Sequence, residues 1–229
     1  MKILGFIPAR KGSQGIKNKN LVKFNGEPLI FHTINLSKKL KFVTPFVSTN
    51  SHKILSYSKK NGIKFNYLRP NYISTHKSKI IEAVFHALNW FKSKKIYFDA
   101  VMLLQTTSPI RKKEEVNKII RIFTKKKIDS IISVTKIREH PFECVKLEGK
   151  KWDYLERNSN GATKRQDYSQ NYYFIDGSIY LSRVSFLKKN NSFVAKNKTK
   201  LFKSKQYPGI DIDDPIDLKI GELFLKKKK

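Results

Sequence analysis

Residues 3–20 read ILGFIPARKGSQGIKNKN, an apolar run that breaks at Pro8 into a basic loop. Two glycines and four cations lie in this loop: Arg10, Lys11, Gly12, Gly15, Lys17 and Lys19. Glycines let backbone amides approach oxygens closely and cations neutralise their charge, so α/β proteins cradle polyphosphates at such strand-to-loop junctions. The loop therefore predicts a phosphate site. A surface turn after an edge strand is the alternative, since neither a P-loop ending nor G-x-G-x-x-G is present.

Beyond this loop, strand-like and helix-like patterns alternate along the chain. Continuous apolar runs predict buried strands at 3–7, 46–48, 98–104 and 130–134. A further strand is predicted at 63–68, directly after the helix stop at Asn61-Gly62. Apolar spacing and breakers predict helices at 27–40, 81–88 and 116–123. Strands alternating with helices predict an α/β fold with a doubly wound, mainly parallel sheet. We expect a single domain over residues 1–229.

The alternation fails between about residues 136 and 174, which are polar and aromatic with short β-like pieces such as 142–147. The run SNGATKRQ, at 159–166, has the composition of a loop. From the residues alone, a plain surface excursion is one interpretation of this segment.

Nine residues match, in register, the opening of the acylneuraminate cytidylyltransferases, which reads roughly P-A-R-x-G-S-K-G-I-x-x-K-N: Pro8, Ala9, Arg10, Gly12, Ser13, Gly15, Ile16, Lys19 and Asn20. Gln14 departs from that pattern. The block LLQTTSPIR at 103–111 resembles L-L-Q-P-T-S-P-L-R, and DIDDPIDL at 211–218 resembles D-I-D-T-P-x-D-L. A weaker block, DGSIYL at 176–181, resembles N-G-A-I-Y. The blocks follow family order and span nearly the whole chain.

This resemblance implies a Rossmann-like nucleotidyltransferase that transfers CMP from CTP to a sialic-acid-like nonulosonic acid and releases pyrophosphate. It also implies a homodimer, in which a β-rich arm inserted at about 136–174 reaches the partner subunit and helps build its sugar site. The nearest alternative is a CMP-sugar synthetase for another 3-deoxy sugar acid such as Kdo, although Kdo enzymes lack the G-S-x-G-I stretch.

The implied chemistry needs charge neutralisation more than covalent help. We therefore expect Arg10, Lys19 and Asp211 to act in catalysis, since arginine offers phosphate a planar fork and lysine a point charge. The residues expected to bind the nucleotide are Ala9, Arg10, Gly12, Ser13, Gly15, Lys19, Asn20, Arg69 and Gln105.

Asp211 and Asp213 are the expected metal ligands. Carboxylates two residues apart on an extended segment point the same way, and oxygen ligands beside a nucleotide favour Mg²⁺. The local alternative is helix capping, because Pro215 favours a helix start there. Asp214 suits the cap better, which leaves Asp211 and Asp213 free.

The resemblance also implies a sugar site formed by Gln105, Arg165, Asp176 and Tyr180. Several departures from the family pattern fall on this side. Asp176 stands where the family usually has asparagine, Phe174 where an arginine often precedes it, and residues 76–80 lack the usual acidic and serine-rich pattern. The identity of the acceptor is therefore the least determined feature.

Composition limits the other possibilities. The formal charge of +30 attracts polyanions, and a basic nucleic-acid-binding domain is the alternative from a different class. The lysines are spread along the chain, however, and no nucleic-acid motif is present, so we expect no nucleic-acid partner. Cys144 is the single cysteine, which excludes internal disulfides. With no signal-like or membrane-spanning run in the sequence, we expect a cytoplasmic protein with no membrane partner.

Overall fold

The computed structural model describes residues 1–13, 15–137, 139–157, 161, 164–168, 172–205 and 210–226. The strands within this part of the chain are β1 Ile3–Pro8, β2 Lys23–Phe24, β3 Glu27–Pro28, β4 Val43–Ser48, β5 Ala100–Leu103, β6 Ser130–Lys136, β7 Val145–Glu148, β8 Lys151–Tyr154, β9 Tyr173–Arg183 and β10 Lys200–Lys203. The helices are α1 Leu29–Lys38, α2 His52–Lys60, α3 Ile80–Ser93, α4 Lys113–Lys125, α5 Val184–Asn190 and α6 Pro215–Lys226.

The central sheet has six strands in the order β10-β6-β9-β5-β1-β4. β1 pairs in parallel with both β4 and β5, and β10 pairs in parallel with β6. β9 is antiparallel to β5 and β6 on its two sides. Short pairs β2-β3 and β7-β8 stand outside this sheet. The predicted doubly wound, mainly parallel α/β fold is confirmed, with one antiparallel strand inserted.

Helices cover both faces of the sheet, which explains the continuous apolar runs of its strands. Along β1, Ile3 and Ile7 face a core built with α1, α2 and α4, whereas Leu4 and Phe6 face a core built with α3 and α5. All four side chains are fully buried. A strand buried on both faces has no polar side, so its sequence shows no alternation.

Two predicted elements differ from the structure. No strand is assigned at 63–68, although Ile63 and Tyr67 are buried and their neighbours are exposed. Buried and exposed side chains alternate along this extended segment because one of its faces is covered. The segment does not form backbone hydrogen bonds as a strand next to β4. The helix predicted over 27–40 begins only at Leu29, because Glu27 and Pro28 pair with β2 and Pro28 is the N-cap in an extended conformation.

Helix α6 is fixed in place through a glycine. A Cβ built on Gly221 would lie 2.7 Å from Cε2 of Phe24, an aromatic side chain that is fully buried. The backbone of α6 therefore lies directly on the Phe24 ring. This contact anchors the helix that follows the aspartates at 211–214, and so helps to place them.

We predict that Gly221→Ala lowers the free energy of unfolding by about 1–3 kcal/mol, because the added methyl group overpacks a buried aromatic contact. Ile220→Ala is the matched control, since Ile220 lies in the same turn and is 39% exposed. Chemical denaturation measures both variants. Equal stability of the two would contradict the contact.

Candidate functional site

A cleft of about 830 Å³ opens at the carboxyl ends of β1 and β5, the edge where parallel sheets place ligand contacts. Most of the residues predicted from the sequence to bind nucleotide, metal or sugar line this one cleft. They are Arg10, Ser13, Gly15, Lys19, Asn20, Arg69, Gln105, Tyr180 and Asp213. Segments that lie far apart in the sequence are thus brought together.

Glycine is required at two positions of the basic loop, for a different structural reason at each. A Cβ on Gly15 would lie 2.1 Å from the backbone oxygen of Asp213, so only glycine permits the loop to touch the aspartate segment. Gly12 has a φ of 84°, in the left-handed region that glycine adopts without strain. Gly12 faces a smaller adjacent cavity rather than the cleft.

Lys19 joins the two ends of the chain. Its Nζ, which is largely buried, donates to the backbone oxygen of Ile212 at 2.9 Å and to Oδ1 of Asp213 at 2.7 Å. An ammonium group has three donors, and the described residues engage two of them, which leaves one for a ligand in the cleft. The predicted phosphate ligand is therefore also the contact that holds the aspartate segment against the basic loop.

Arg10 and Asn20 are held by the loop itself. The Nη1 atom of Arg10 donates to Gly12 O at 2.8 Å. The amide of Asn20 is buried, donating to Arg10 O at 3.1 Å and accepting from Thr106 Oγ1 at 2.7 Å. Asn20 thus ties the loop to the residues after β5. Its predicted contact with the nucleotide stays a prediction.

Arg69 is the residue of the cleft whose surroundings point most clearly to an anion site. The residue is 4% exposed and lines the cleft, yet among the described residues neither its Nε nor its Nη2 has a hydrogen-bond partner. Burial, reinforced by the nearby charge of Arg10 and opposed by Tyr67, lowers its pKa to about 10. A buried, unpaired guanidinium is costly unless an anion occupies the site.

In the aspartate segment, Asp213 lines the cleft and Asp211 does not, and their predicted role as metal ligands stays a prediction. Ile212 is fully buried, whereas Asp211 and Asp213 on either side of it are exposed. Partial burial of its carboxyl group raises the pKa of Asp211, and the neighbouring carboxylate of Asp213 raises it further. A hydrogen bond from Thr107 and the cations Lys19 and Arg111 oppose this increase.

The donor set at 211–213 fits a hard cation whose remaining ligands come from substrate oxygens and water. The repulsion between the two carboxylates is what a cation between them would relieve. No group of three or more His, Cys, Asp or Glu side chains that could hold a metal occurs among the described residues. Two carboxylates together with phosphate oxygens and water is the arrangement Mg²⁺ favours.

Asp214 is the helix cap, as its spacing suggested. Its Oδ1 accepts from the backbone N–H groups of Ile216 at 2.9 Å and Asp217 at 3.1 Å. Asp217 returns the interaction by accepting from the N–H groups of Asp213 and Asp214. This reciprocal cap stabilises the start of α6 and leaves the Asp211 carboxylate outside the capping role.

Arg111, at the end of LLQTTSPIR, is a structural centre that the sequence reasoning missed. Its buried guanidinium donates to Gln105 O at 2.6 Å, to Ser178 O at 2.7 Å and to Thr33 Oγ1 at 3.3 Å. Burial lowers its pKa to about 9, against the opposing charges of Asp176 and Asp211. The signal that could have indicated this role is the presence of a single charged residue, Arg111, in the otherwise uncharged block LLQTTSPIR.

The sugar-side residues fall into different positions. Gln105 Nε2 donates to Gly177 O at 3.3 Å, and Tyr180 lines the cleft. Asp176 is 3% exposed and its Oδ1 accepts from Ser133 Oγ and Ser178 N, which places it beneath the cleft surface. The side chain of Arg165 lies outside the described residues, as does Gln14. Ala9 is buried at the end of β1 and does not line the cleft.

Two further stretches of the cleft wall were not predicted. They comprise Ile73, Thr75, Ser78, Lys79, Ile80 and Ile81 before and at the start of α3, and Asn191, Ser192, Phe193 and Val194 after α5. The first group overlaps the 76–80 stretch that departs from the family pattern. The second follows Asn191, which ends α5 in the left-handed conformation, with a φ of 47°. No motif marked it.

The similarity of this chain to known proteins extends over nearly its whole length. The family model described as Cytidylyltransferase matches residues 4–227. The chain is 30% identical to the CMP-N,N'-diacetyllegionaminic acid synthase of Legionella pneumophila, over 99% of this chain and 97% of that protein. It is 27% identical to the N-acylneuraminate cytidylyltransferase of Streptococcus agalactiae serotype V, over 98% of this chain and 54% of that protein.

Among solved structures, a CMP:2-keto-3-deoxy-manno-octonic acid synthetase complexed with CTP has a TM-score of 0.72 and 16% identity over 100% of both chains. At that identity the likeness shows the fold alone. Within the described part of the chain, none of the helices is long and apolar enough to cross a membrane.

We predict that Arg69→Met weakens CTP binding at least about ten-fold, because charge-assisted hydrogen bonds are worth roughly 1.5–3 kcal/mol. The ligand-free variant should melt no lower than the parent protein, since it loses an unpaired buried charge. Calorimetry and thermal melting measure the two effects. The control is Arg121→Met, an exposed arginine of α4. Unchanged CTP affinity in the Arg69 variant would refute the assignment.

Proposed function

The chain belongs to the cytidylyltransferase family, which makes it a nucleotidyltransferase, and we propose that it transfers CMP from CTP to a nonulosonic acid. The observation that carries the nucleotide assignment is Arg69, which lines the same cleft as the basic loop and has two buried guanidinium nitrogens without a hydrogen-bond partner among the described residues. Such a site fits a long anionic ligand better than a neutral one, because the planar guanidinium can donate to a flat group of acceptor oxygens.

The acceptor is proposed from two sources. Relatives that match nearly this whole chain at 27–30% identity are named for diacetyllegionaminic acid and N-acylneuraminate. The loop also contains the G-S-x-G-I stretch that the Kdo enzymes lack. A Kdo-like acid is therefore the second candidate, and its solved structural neighbour supports only the common fold.

In the proposed reaction, the basic loop, the aspartate pair and the residues on the sugar side each have a separate role. The anomeric hydroxyl of the sugar attacks the α-phosphate, and pyrophosphate leaves. Arg10, the third donor of Lys19 and the loop amides around Ser13 and Gly15 stabilise charge that develops on the phosphate oxygens. Mg²⁺ bound at Asp211 and Asp213 would neutralise phosphate charge. Gln105 and Tyr180, which line the same cleft, orient the acceptor.

We also propose that the hairpin β7-β8 forms a homodimer interface. Cross-strand pairing places Val145 opposite Tyr154 and Leu147 opposite Trp152, so these four side chains share one face. All four are more than half exposed in the single chain. The other face carries charged residues. The second copy of the chain is the natural cover for an apolar face within the predicted dimerisation arm. The predicted role of Arg165 in the partner's sugar site stays a prediction.

The dimer proposal predicts that the double variant Leu147→Ser with Trp152→Ser is monomeric, because it removes an apolar cross-strand pair from the interface. The matched control, Glu148→Ser with Lys151→Ser, changes the neighbouring pair on the charged face and should remain dimeric. Light scattering coupled to size exclusion gives the mass of each. A monomeric parent protein, or equal behaviour of both variants, would exclude this interface.

The enzymatic proposal predicts pyrophosphate release from CTP and Mg²⁺ only when a nonulosonic acid is added. Asp211→Asn should lower turnover about 100-fold or more, since the metal contributes several kcal/mol to charge stabilisation. It should also raise the melting temperature of the ligand-free protein at neutral pH. The raised pKa of Asp211 means that its charged form is disfavoured by folding, and asparagine removes that charge.

Asp214→Asn is the matched control, because asparagine caps a helix about as well as aspartate and should leave turnover intact. A panel containing neuraminic, legionaminic, pseudaminic and Kdo acids identifies the acceptor. Preference for Kdo would replace the proposed acceptor, and release that is equal with all four nucleoside triphosphates would overturn the CTP assignment.

A further inference from the structure

The lysines that look scattered in the sequence are gathered by the fold. In this sheet β4, β5 and β6 run parallel, so α1, α3 and α4, which precede them, all end at the amino edge of the sheet. The end of α2 joins them there, because Lys38 Nζ at the end of α1 donates to Asn61 O at 3.0 Å. The cleft lies at the opposite, carboxyl edge.

Each of these four helix ends carries three lysines in or just beyond its last turn. All of them are exposed, and together they form what we call the basic face: Lys38, Lys39, Lys41, Lys59, Lys60, Lys64, Lys92, Lys94, Lys95, Lys125, Lys126 and Lys127. A lysine in the last turn stabilises the negative end of the helix dipole. That effect is confined to the last turn, whereas Lys41, Lys64 and Lys95 lie beyond it.

Little negative charge opposes these lysines. The connections 39–42, 61–64, 94–99 and 126–129 contain two carboxylates, Asp99 and Asp129. Asp99 Oδ2 accepts from Lys2 N at 2.6 Å, and Asp129 pairs with Arg183 at 3.3 Å. Both are therefore already engaged, and the face presents a nearly uncompensated positive field.

Two aromatic side chains project from the same edge. Phe42 is 71% exposed and has a φ of 65°, a conformation that bulky residues rarely adopt. Its carbonyl accepts from Ile3 N at 3.1 Å, which holds it beside the start of β1. Tyr97 is 62% exposed in the connection before β5, the other neighbour of β1. The aromatic pair thus lies among the lysines.

We propose that the basic face docks on the surface of an anionic lipid bilayer. Polybasic clusters bind anionic headgroups through diffuse attraction, and stable attachment takes a second, apolar signal, which Phe42 and Tyr97 supply. The cations of the face are all lysines. Recognition of nucleic-acid phosphates and bases more often uses the arginine fork, so a bilayer fits this face better than a nucleic acid.

This inference departs from the sequence expectation of no membrane partner, which considered charge along the chain and not its position in the fold. It involves no residue of the cleft and does not depend on the proposed function. Docking on this edge turns the cleft away from the bilayer, so that soluble substrates keep access to it.

Co-sedimentation with vesicles of phosphatidylcholine, with or without phosphatidylglycerol, tests the proposal. We expect binding only to the anionic vesicles, with affinity that falls as added salt screens the charges. The variant Lys39→Gln, Lys60→Gln, Lys95→Gln, Lys126→Gln removes one charge from each helix end. Because each lysine near such a surface contributes roughly five-fold in binding, this variant should lose at least ten-fold.

Matched controls separate the face from the overall charge. Lys113→Gln, Lys118→Gln, Lys150→Gln, Lys219→Gln removes the same number of exposed charges elsewhere and should bind more tightly than the face variant. Phe42→Asn suits the positive φ and should bind less while folding normally. No binding to anionic vesicles, or equal losses in the two lysine variants, would overturn the proposal. So would a face variant that loses duplex DNA binding with vesicle binding unchanged.

Discussion

The buried ammonium group of Lys19 is the interaction on which the rest of the site depends. It joins a loop near the beginning of the chain to an aspartate segment 193 or 194 residues later. The contact requires Gly15, because any side chain there would strike the backbone of Asp213. The phosphate loop and the carboxylates are consequently positioned as one unit rather than as two independent loops.

The site keeps charged groups in surroundings that disfavour them. The guanidinium groups of Arg69 and Arg111 have pKa values lowered by burial, and Asp211 has a raised pKa beside a second carboxylate. Arg111 is compensated by three hydrogen bonds to protein oxygens, whereas two nitrogens of Arg69 lack a partner among the described residues. From this difference we infer that Arg111 positions other residues and that Arg69 binds a ligand. Groups in a cleft whose pKa values are strongly shifted are candidates for functional sites.

Local signals were sufficient for much of this architecture. The strand-to-loop junction at residues 3–20, the apolar strands and the Asp214 cap follow from short-range rules, and the family blocks placed most of the cleft residues. The 63–68 segment could not be distinguished from a strand, because burial of one face produces the same alternation with or without a partner strand. β9 and β10 were not predicted, since β9 follows an irregular segment and enters the sheet antiparallel.

Features created by tertiary contacts also could not be predicted from the sequence. Nothing local indicates that Arg111 would donate hydrogen bonds to Gln105, just after β5, and to Ser178, in β9. The grouping of lysines at one edge likewise requires the strand directions, not the composition.

The central claim is that the loop at residues 10–20 and the aspartates at 211–213 form one site for CTP and a divalent cation. A crystal structure with CTP and Mg²⁺ tests it most directly. The account predicts the α-phosphate against Arg10 and the loop amides, a cation held by Asp211 and Asp213, and an acceptor atom of the nucleotide on Nη2 of Arg69. A nucleotide bound outside this cleft, or phosphates directed away from the loop, would contradict it.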